Sequence, residues 1–233
     1  MPYANRGEWG TRRQMRDMDK VDFWIKDLHA AEQSGNLPRF TIMSLGENHT
    51  SGTTPGAFTP DASVASNDHG VAKIAAAATR SKFWPEMAIF IIEDDTQNGP
   101  DHVDAHRAPA LVLSPYVKRG YVDSTLYTTA SLVRTIELIL GLPPLTQYDA
   151  AATPMFNAFQ RDPVVTPYTV LQPQVDLLAK NTRKSVYWQE SSKMDFTVYD
   201  RAPEDQLNRI LWAVAKGENA AYPPIVRRAS FGD

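Results

Sequence analysis

Apolar residues recur at helical spacing near the start of this chain, with Val21, Trp24, Ile25, Leu28 and Ala31 on one stripe and Gly35 as a stop, predicting an amphipathic helix from about Asp19 to Ser34. A short run of β-formers follows at 39–45 (RFTIMSL) and predicts a strand that empties into Glu47-Asn48-His49. After a Gly-, Pro- and Thr-rich loop, Thr59-Pro60-Asp61 supplies an N-cap, a first-turn proline and an acid matched to the helix dipole. The helix it opens is predicted to run to about Ser81. Its stripe of Val64, Asp68, Val71, Ala75 and Ala78 places a carboxylate among apolar neighbours, so Asp68 is expected to be buried with a partner.

Residues 87–92 form a continuous apolar run, the pattern of a strand covered on both faces, and end at Glu93-Asp94-Asp95. The next strand is expected at 108–114. The loop between the two has no room for a crossover helix, so these strands are expected to be antiparallel neighbours. Leu132, Val133, Ile136 and Ile139 share one face of a helix predicted over 129–140, closed by Gly141. From about 142 to 202 the chain is Pro-, Thr- and Gln-rich with little periodicity. It reads as an irregular wrap with short strands near 185–188 and 195–199. Pro203 opens a last helix, with Leu207, Ile210, Leu211 and Val214 as its stripe and Gly217 near its end.

A length of 233 residues with 42% hydrophobic positions suits a single domain spanning 1–233. The net charge of -3, with both signs mixed, offers no basic stripe for nucleic acid. No apolar run approaches the roughly 20 residues of a membrane span. The first residues have no apolar export segment, so the chain as it stands reads as cytoplasmic, while its compartment is left open by the sequence. With no cysteine, any metal must be held by oxygen and nitrogen.

Four of the five histidines, His49, His69, His102 and His106, fall between Glu47 and Arg107, beside Asp94 and Asp95. Carboxylates and imidazoles gathered on loops at the carboxyl ends of strands are the material of a divalent-metal site. Asp94 and Asp95, adjacent at a strand end, point to opposite faces and so could serve two ions, or one ion and its surroundings. The alternative for Asp94-Asp95-Thr-Gln-Asn-Gly is a polar turn. His69 falls mid-helix, where a solvent-facing or hydrogen-bonded side chain is expected, and His29 is expected on a helix surface. Thr50 and Ser51 are candidate nucleophiles, or loop hydroxyls bonded to their own backbone. Lys118 and Arg119 suit a substrate phosphate and equally a solvated strand exit. The absence of a Gly-x-Ser-x-Gly elbow argues against Ser-His-Asp catalysis.

In order along the chain, IFIIEDD, DHV, SPYVKRGYVD and LGLPPL closely resemble the phosphoesterase family of the alkaline phosphatase superfamily, which also contains acid phosphatases and phospholipases C. Upstream, SLGENHTSGT resembles the family's LPNDHTSGT, and KMDFTVYDRAPEDQLNRILWAVAKG is similar to the C-terminal end of bacterial members, so the likeness runs from about Leu37 to Arg228. The resemblance implies an α/β fold, a mixed, mostly parallel sheet flanked by helices. It also implies a divalent-metal site, zinc foremost with manganese or calcium as alternatives, that hydrolyses phosphate esters. By motif position, Asp94 and Asp95 resemble the paired ligands, His102 and His106 the later ones, and His49 a ligand or phosphate contact. Asn48 and Thr50 complete the substrate side. Asn48 stands where similar sequences have aspartate, which removes a negative charge.

Nothing before Leu37 resembles the family's nucleophile segment, so the chain is expected to be the C-terminal part of a longer enzyme with a truncated core. Similar full-length proteins are often exported. Hydrolysis is then expected to use metal-activated hydroxide on di- or triesters, in the manner of a phosphotriesterase. Missing strands would leave a sheet edge open and favour a homo-oligomer. The alternative is a non-catalytic metal- or phosphate-binding remnant that assembles with another chain.

Overall fold

The computed structural model describes residues 15–93, 108–197 and 201–223. Its framework is helical. Helix α1 (Asp17–Ser34) ends at Gly35, whose φ of 74° is the left-handed conformation that lets its amide return to Ala31 O. Helix α2 (Pro60–Arg80) begins where the Thr59 hydroxyl accepts from the Ala62 amide, with proline in its first turn.

These two helices pack against each other, and α2 also carries the short helical turn Glu47–His49. Val21, Leu28 and Ala31 of α1 and Ala62, Ala75, Ala76 and Ala78 of α2 are buried, and Trp84, in the turn Trp84–Glu86, is among the largest fully buried side chains. The face of α2 turned inward is a row of small residues: Ser63, Ser66 and Gly70 are buried, whereas Val64 and Asp68 are exposed. The expected stripe therefore holds at Ala75 and Ala78 but is rotated in the first half of the helix. Small side chains win because they let the two backbones approach, and Asp68 solvates itself instead of seeking a buried partner.

Strand β1 (Ile89–Ile92) pairs antiparallel with β2 (Ala110–Leu113), Ile89 opposite Leu113 and Ile92 opposite Ala110. The expected antiparallel pairing holds. The mostly parallel sheet does not: among the described residues the sheet has two strands. Nor are both faces covered, since Ile92 and Leu111 are 40% and 59% exposed. Residues 39–45 form no strand, and Phe40 and Ile42 are exposed. The carbonyl of Ser44 accepts from Lys20 and that of Leu45 from Asn67, so side chains take acceptors that a neighbouring strand would otherwise have used.

Helix α3 (Thr129–Leu140) has the predicted bounds and stops at Gly141. Its buried residues are Ser131, Thr135 and Glu137, while Ile139 is exposed. The Thr135 hydroxyl donates to Ser131 O and accepts from the Met155 amide, tying the helix to the wrap. Helix α4 (Gln147–Ala151) follows a capping box built by Thr146 and Asp149.

The wrap is irregular between 159 and 187. The strand expected at 185–188 is a turn leading into helix α5 (Trp188–Ser191); of the strand expected at 195–199, residues 195–197 form none and 198–199 lie outside the described residues. Helix α6 (Glu204–Lys216) buries Leu207, Ile210 and Ala213 and ends at Gly217, close to expectation. Among the described residues no helix is long and apolar enough to cross a membrane.

A Cβ built on Gly70 would meet Val21 Cγ2 at 3.4 Å and Asp17 Cβ and Leu45 Cδ1 at 3.9 Å, ordinary contact distances. Gly70→Ala is therefore expected to stabilise the protein by about 0.5–1 kcal/mol through helix propensity. Gly70→Leu, which must push Val21 aside, lowers the thermal midpoint; calorimetry on both variants checks the sign.

The Asp149 carboxyl is held at about 2, chiefly by the Thr146 hydroxyl, with the Leu145 amide adding to it against the opposing effect of burial. A folded pKa below the unfolded value of about 3.9 means a contribution fully present above about pH 4 and lost as pH falls through about 2. Amide exchange across α4 is expected to accelerate in that window, and Asp149→Asn to remove the dependence.

Candidate functional site

The part of the site that the structure describes is the loop 46–54, and its position is set by two carboxylates. Asp17 is fully buried. Its Oδ1 accepts from the Gly46 amide at 3.1 Å and from Lys20 Nζ at 3.2 Å, and its Oδ2 from the Glu47 amide at 2.8 Å and Asn67 Nδ2 at 2.9 Å. Glu47 answers in kind: Oε2 accepts from the Asp17 amide at 3.1 Å and the Ser66 hydroxyl at 2.8 Å, and Oε1 from Arg16 Nε at 2.7 Å.

Each carboxylate thus covers the free amide at the start of the other's helical turn, where the backbone dipole favours negative charge. Arg16 completes the pair. Its Nη2 lies 2.6 Å from Glu47 Oε1, its Nη1 donates to Leu177 O, and its guanidinium stacks 3.9 Å over the Phe58 ring. Two anions and two cations, Arg16 and Lys20, leave the cluster electrically balanced, which is what a buried charge requires.

On this base, Asn48 and His49 sit half-buried on the turn Glu47–His49. Thr50 comes next with φ 50° and ψ 173°, a conformation that a β-branched residue seldom adopts. Its hydroxyl accepts from the Gly52 amide at 3.2 Å.

Asp94, Asp95, His102 and His106 lie outside the described residues, which stop at Glu93 and resume at Ala108. Lys118 and Arg119, just past β2, are engaged by the wrap. Lys118 Nζ donates to Asn157 O at 2.7 Å and lies over the Tyr121 ring. Arg119 donates to Val164 O and Thr166 O and stacks on Tyr168. His69 is half-buried on α2, and His29 is exposed on α1. Among the described residues, no three of His, Asp and Glu come together as a cation cage. A shallow cavity of about 330 Å³ lies elsewhere, beside α5, where Arg201 pairs with Asp195.

The residues missed from sequence are Arg16, Asp17, Ser66 and Asn67. Asp17 and Asp19 both look like ordinary first-turn acids, and no periodic signal separates the buried one from its neighbour. Ser66 and Asn67 lie off the apolar stripe read from the sequence, so nothing there marks them either.

A strained, polar-anchored loop beside a two-helix core is the scaffold that these residues define. The chain belongs to the phosphoesterase family, whose model matches residues 4–143. The match reaches back into the stretch before Leu37, where the motifs alone show no likeness, and it stops short of Arg228. No curated protein and no solved structure matches the chain significantly.

Replacing Asp17 by asparagine turns an amide N–H toward groups that already donate and takes away the counter-charge of Lys20. Asp17→Asn is expected to cost about 3–5 kcal/mol, read as a fall in the urea midpoint. Asp19→Asn, two residues along on the exposed side of α1, serves as the comparison and changes little.

Proposed function

We propose that this protein is a metal-dependent phosphoric ester hydrolase acting on small-molecule di- or triesters. The observation that carries the reading is that the family-matched segment 4–143 contains every candidate residue: Asn48, His49, Thr50, Asp94, Asp95, His102, His106, Lys118 and Arg119. Membership in this family supports a hydrolase acting on phosphate esters.

Asp94, Asp95, His102 and His106 would hold the cation, with His49 as a further ligand or a contact to the phosphoryl group. The donor set is oxygen and nitrogen, with no thiol in the chain, and fits zinc, with manganese or calcium as alternatives. When bound, such an ion neutralises the non-bridging oxygens and brings the pKa of a water near 7.

The chain's own part is to bind and orient. Asn48 offers an amide where similar sequences have a carboxylate, which lowers the charge holding the cation and lessens the repulsion of a singly charged ester. Lys118 and Arg119 lend positive charge to the exit of β2. Attack by water, rather than by a protein hydroxyl, favours esters with fewer negative charges, because less repulsion opposes the incoming oxygen. Both outer edges of the β1–β2 ribbon lack a partner strand among the described residues, which supports self-association through an edge. The same feature favours a second reading, a metal- or phosphate-binding subunit that gains activity only with another chain.

Metal analysis with nitrophenyl mono-, di- and triesters tests the proposal. Turnover is expected on di- or triesters, abolished by chelator and restored by zinc or manganese. Asp94→Asn is expected to lower kcat/KM by about 10³-fold, several kcal/mol of lost charge stabilisation. Turnover by metal-free protein would overturn the mechanism, and saturable metal uptake without turnover on any ester would select the second reading.

A further inference from the structure

We propose that Ser191 and Asn181, both beyond the family-matched segment, are positioning residues that hold the His49 loop in its strained conformation. The inference rests on the phosphoesterase reading of that loop and deepens it. A β-branched residue at φ 50° persists only where the chain on both sides is fixed by something else. Before Thr50 the anchor is Glu47, through Arg16 and Ser66. After it the anchors come from a part of the chain more than a hundred residues away.

Ser191 is fully buried. Its hydroxyl accepts from the Thr53 amide at 3.0 Å and lies 3.0 Å from the Thr53 hydroxyl, while its carbonyl accepts from Thr54 Oγ1 at 3.3 Å. Gly52, at φ 55°, passes so close that a Cβ there would stand 2.7 Å from Ser191 Oγ. Asn181, 4% exposed, donates from Nδ2 to Gly52 O at 3.1 Å and to Phe58 O at 3.0 Å. Its own backbone exchanges bonds with Gly56 and Ala57, both at 2.9 Å.

The wrap therefore grips the chain from Gly52 onward, two residues past the strained Thr50. These contacts fix the chain just past Thr50, and through the Thr50 backbone they bear on His49.

The test compares Ser191→Ala and Asn181→Asp, the second keeping the shape of the side chain while turning an acceptor toward two carbonyls. Thr54→Val removes only the outermost contact, and Thr182→Ala alters the wrap away from the loop. Readouts are kcat and KM on the best ester found, the ¹⁵N signals of the His49 ring, and the thermal midpoint. Ser191→Ala and Asn181→Asp are expected to lower kcat by about 10–100-fold with little change in KM, as for a reacting group displaced by about 1 Å. They should also shift the His49 ring signals, with Thr54→Val weaker in the same direction and Thr182→Ala at wild-type values.

A lowered midpoint with kcat and the His49 signals unchanged in both principal variants would overturn the proposal. If Ser191→Ala does not fold, Asn181→Asp and Thr54→Val decide by the same criteria. Should wild-type protein hydrolyse no ester, the phosphoesterase reading fails on its own account. The ring signals then decide the clamp: shifts in the variants uphold it, and unchanged signals overturn it.

Discussion

The structure depends on a reciprocal exchange between two carboxylates, Asp17 and Glu47, each accepting the backbone amide at the start of the other's helical turn. A helix that begins in the interior leaves amides that water cannot reach, and a turn such as Glu47–His49 has the same difficulty in miniature. Solving both with one pair of side chains locks the direction of α1 to the position of the loop. The two oxygens of each carboxylate are saturated by further donors, Lys20, Asn67, Ser66 and Arg16, so neither charge is left to seek another arrangement. Such a cluster contributes more to the choice of one structure than to net stability, because desolvation offsets much of what the contacts return.

The same cluster explains why α2 shows a row of small residues inward. Ser66 and Asn67 must reach Glu47 and Asp17, which brings Ser63 and Gly70 onto the contact side and sends Val64 and Asp68 outward. The polar requirement outranks the apolar stripe. Helix α3 follows a similar logic. Its Glu137, 3% exposed, accepts from Arg134 and from the Leu145 amide, and the helix turns Ser131, Thr135 and Glu137 inward while Leu138 and Ile139 face out.

What was legible in the sequence were features decided locally. The Thr59-Pro60 start of α2, the glycine stops of α1 and α3, and the antiparallel partnership of β1 and β2 follow from capping, from positive φ and from loop length, all of which are written within a few residues. What was not legible was decided at a distance. The run 39–45 has strand composition, but a strand exists only with a neighbour, and here Lys20 and Asn67 take its last carbonyls. The phase of α2 could not be read because the partner that rotates it, Asp17, is some fifty residues away. Of the site, the motif at 47–53 was visible as a motif. Its anchors were not, because nothing in a single serine or asparagine far down the chain marks it as a loop's support.

That division bears on how the family-matched segment and the rest of the chain share the work. The match ends at residue 143, yet the loop that carries His49 is fastened from both directions: by Arg16 and Asp17 inside the matched segment, and by Leu177, Asn181 and Ser191 outside it. Arg16 joins the two systems, since one guanidinium binds Glu47, stacks on Phe58 and donates to Leu177 O. Lys118 and Arg119 repeat the pattern, with cations of the matched segment donating to carbonyls of the wrap at Asn157, Val164 and Thr166. The wrap has little periodic structure, and it is held by bonds that run both ways: beside the cations of the matched segment, its own Gln160, Val164 and Asn181 amides donate to Tyr116 O, Pro115 O and Ala57 O. In return it supplies the contacts that keep Gly52 and Thr50 in conformations the loop would not hold alone. An irregular segment can serve this purpose better than a helix or strand, because its carbonyls and amides are not already committed to a ladder.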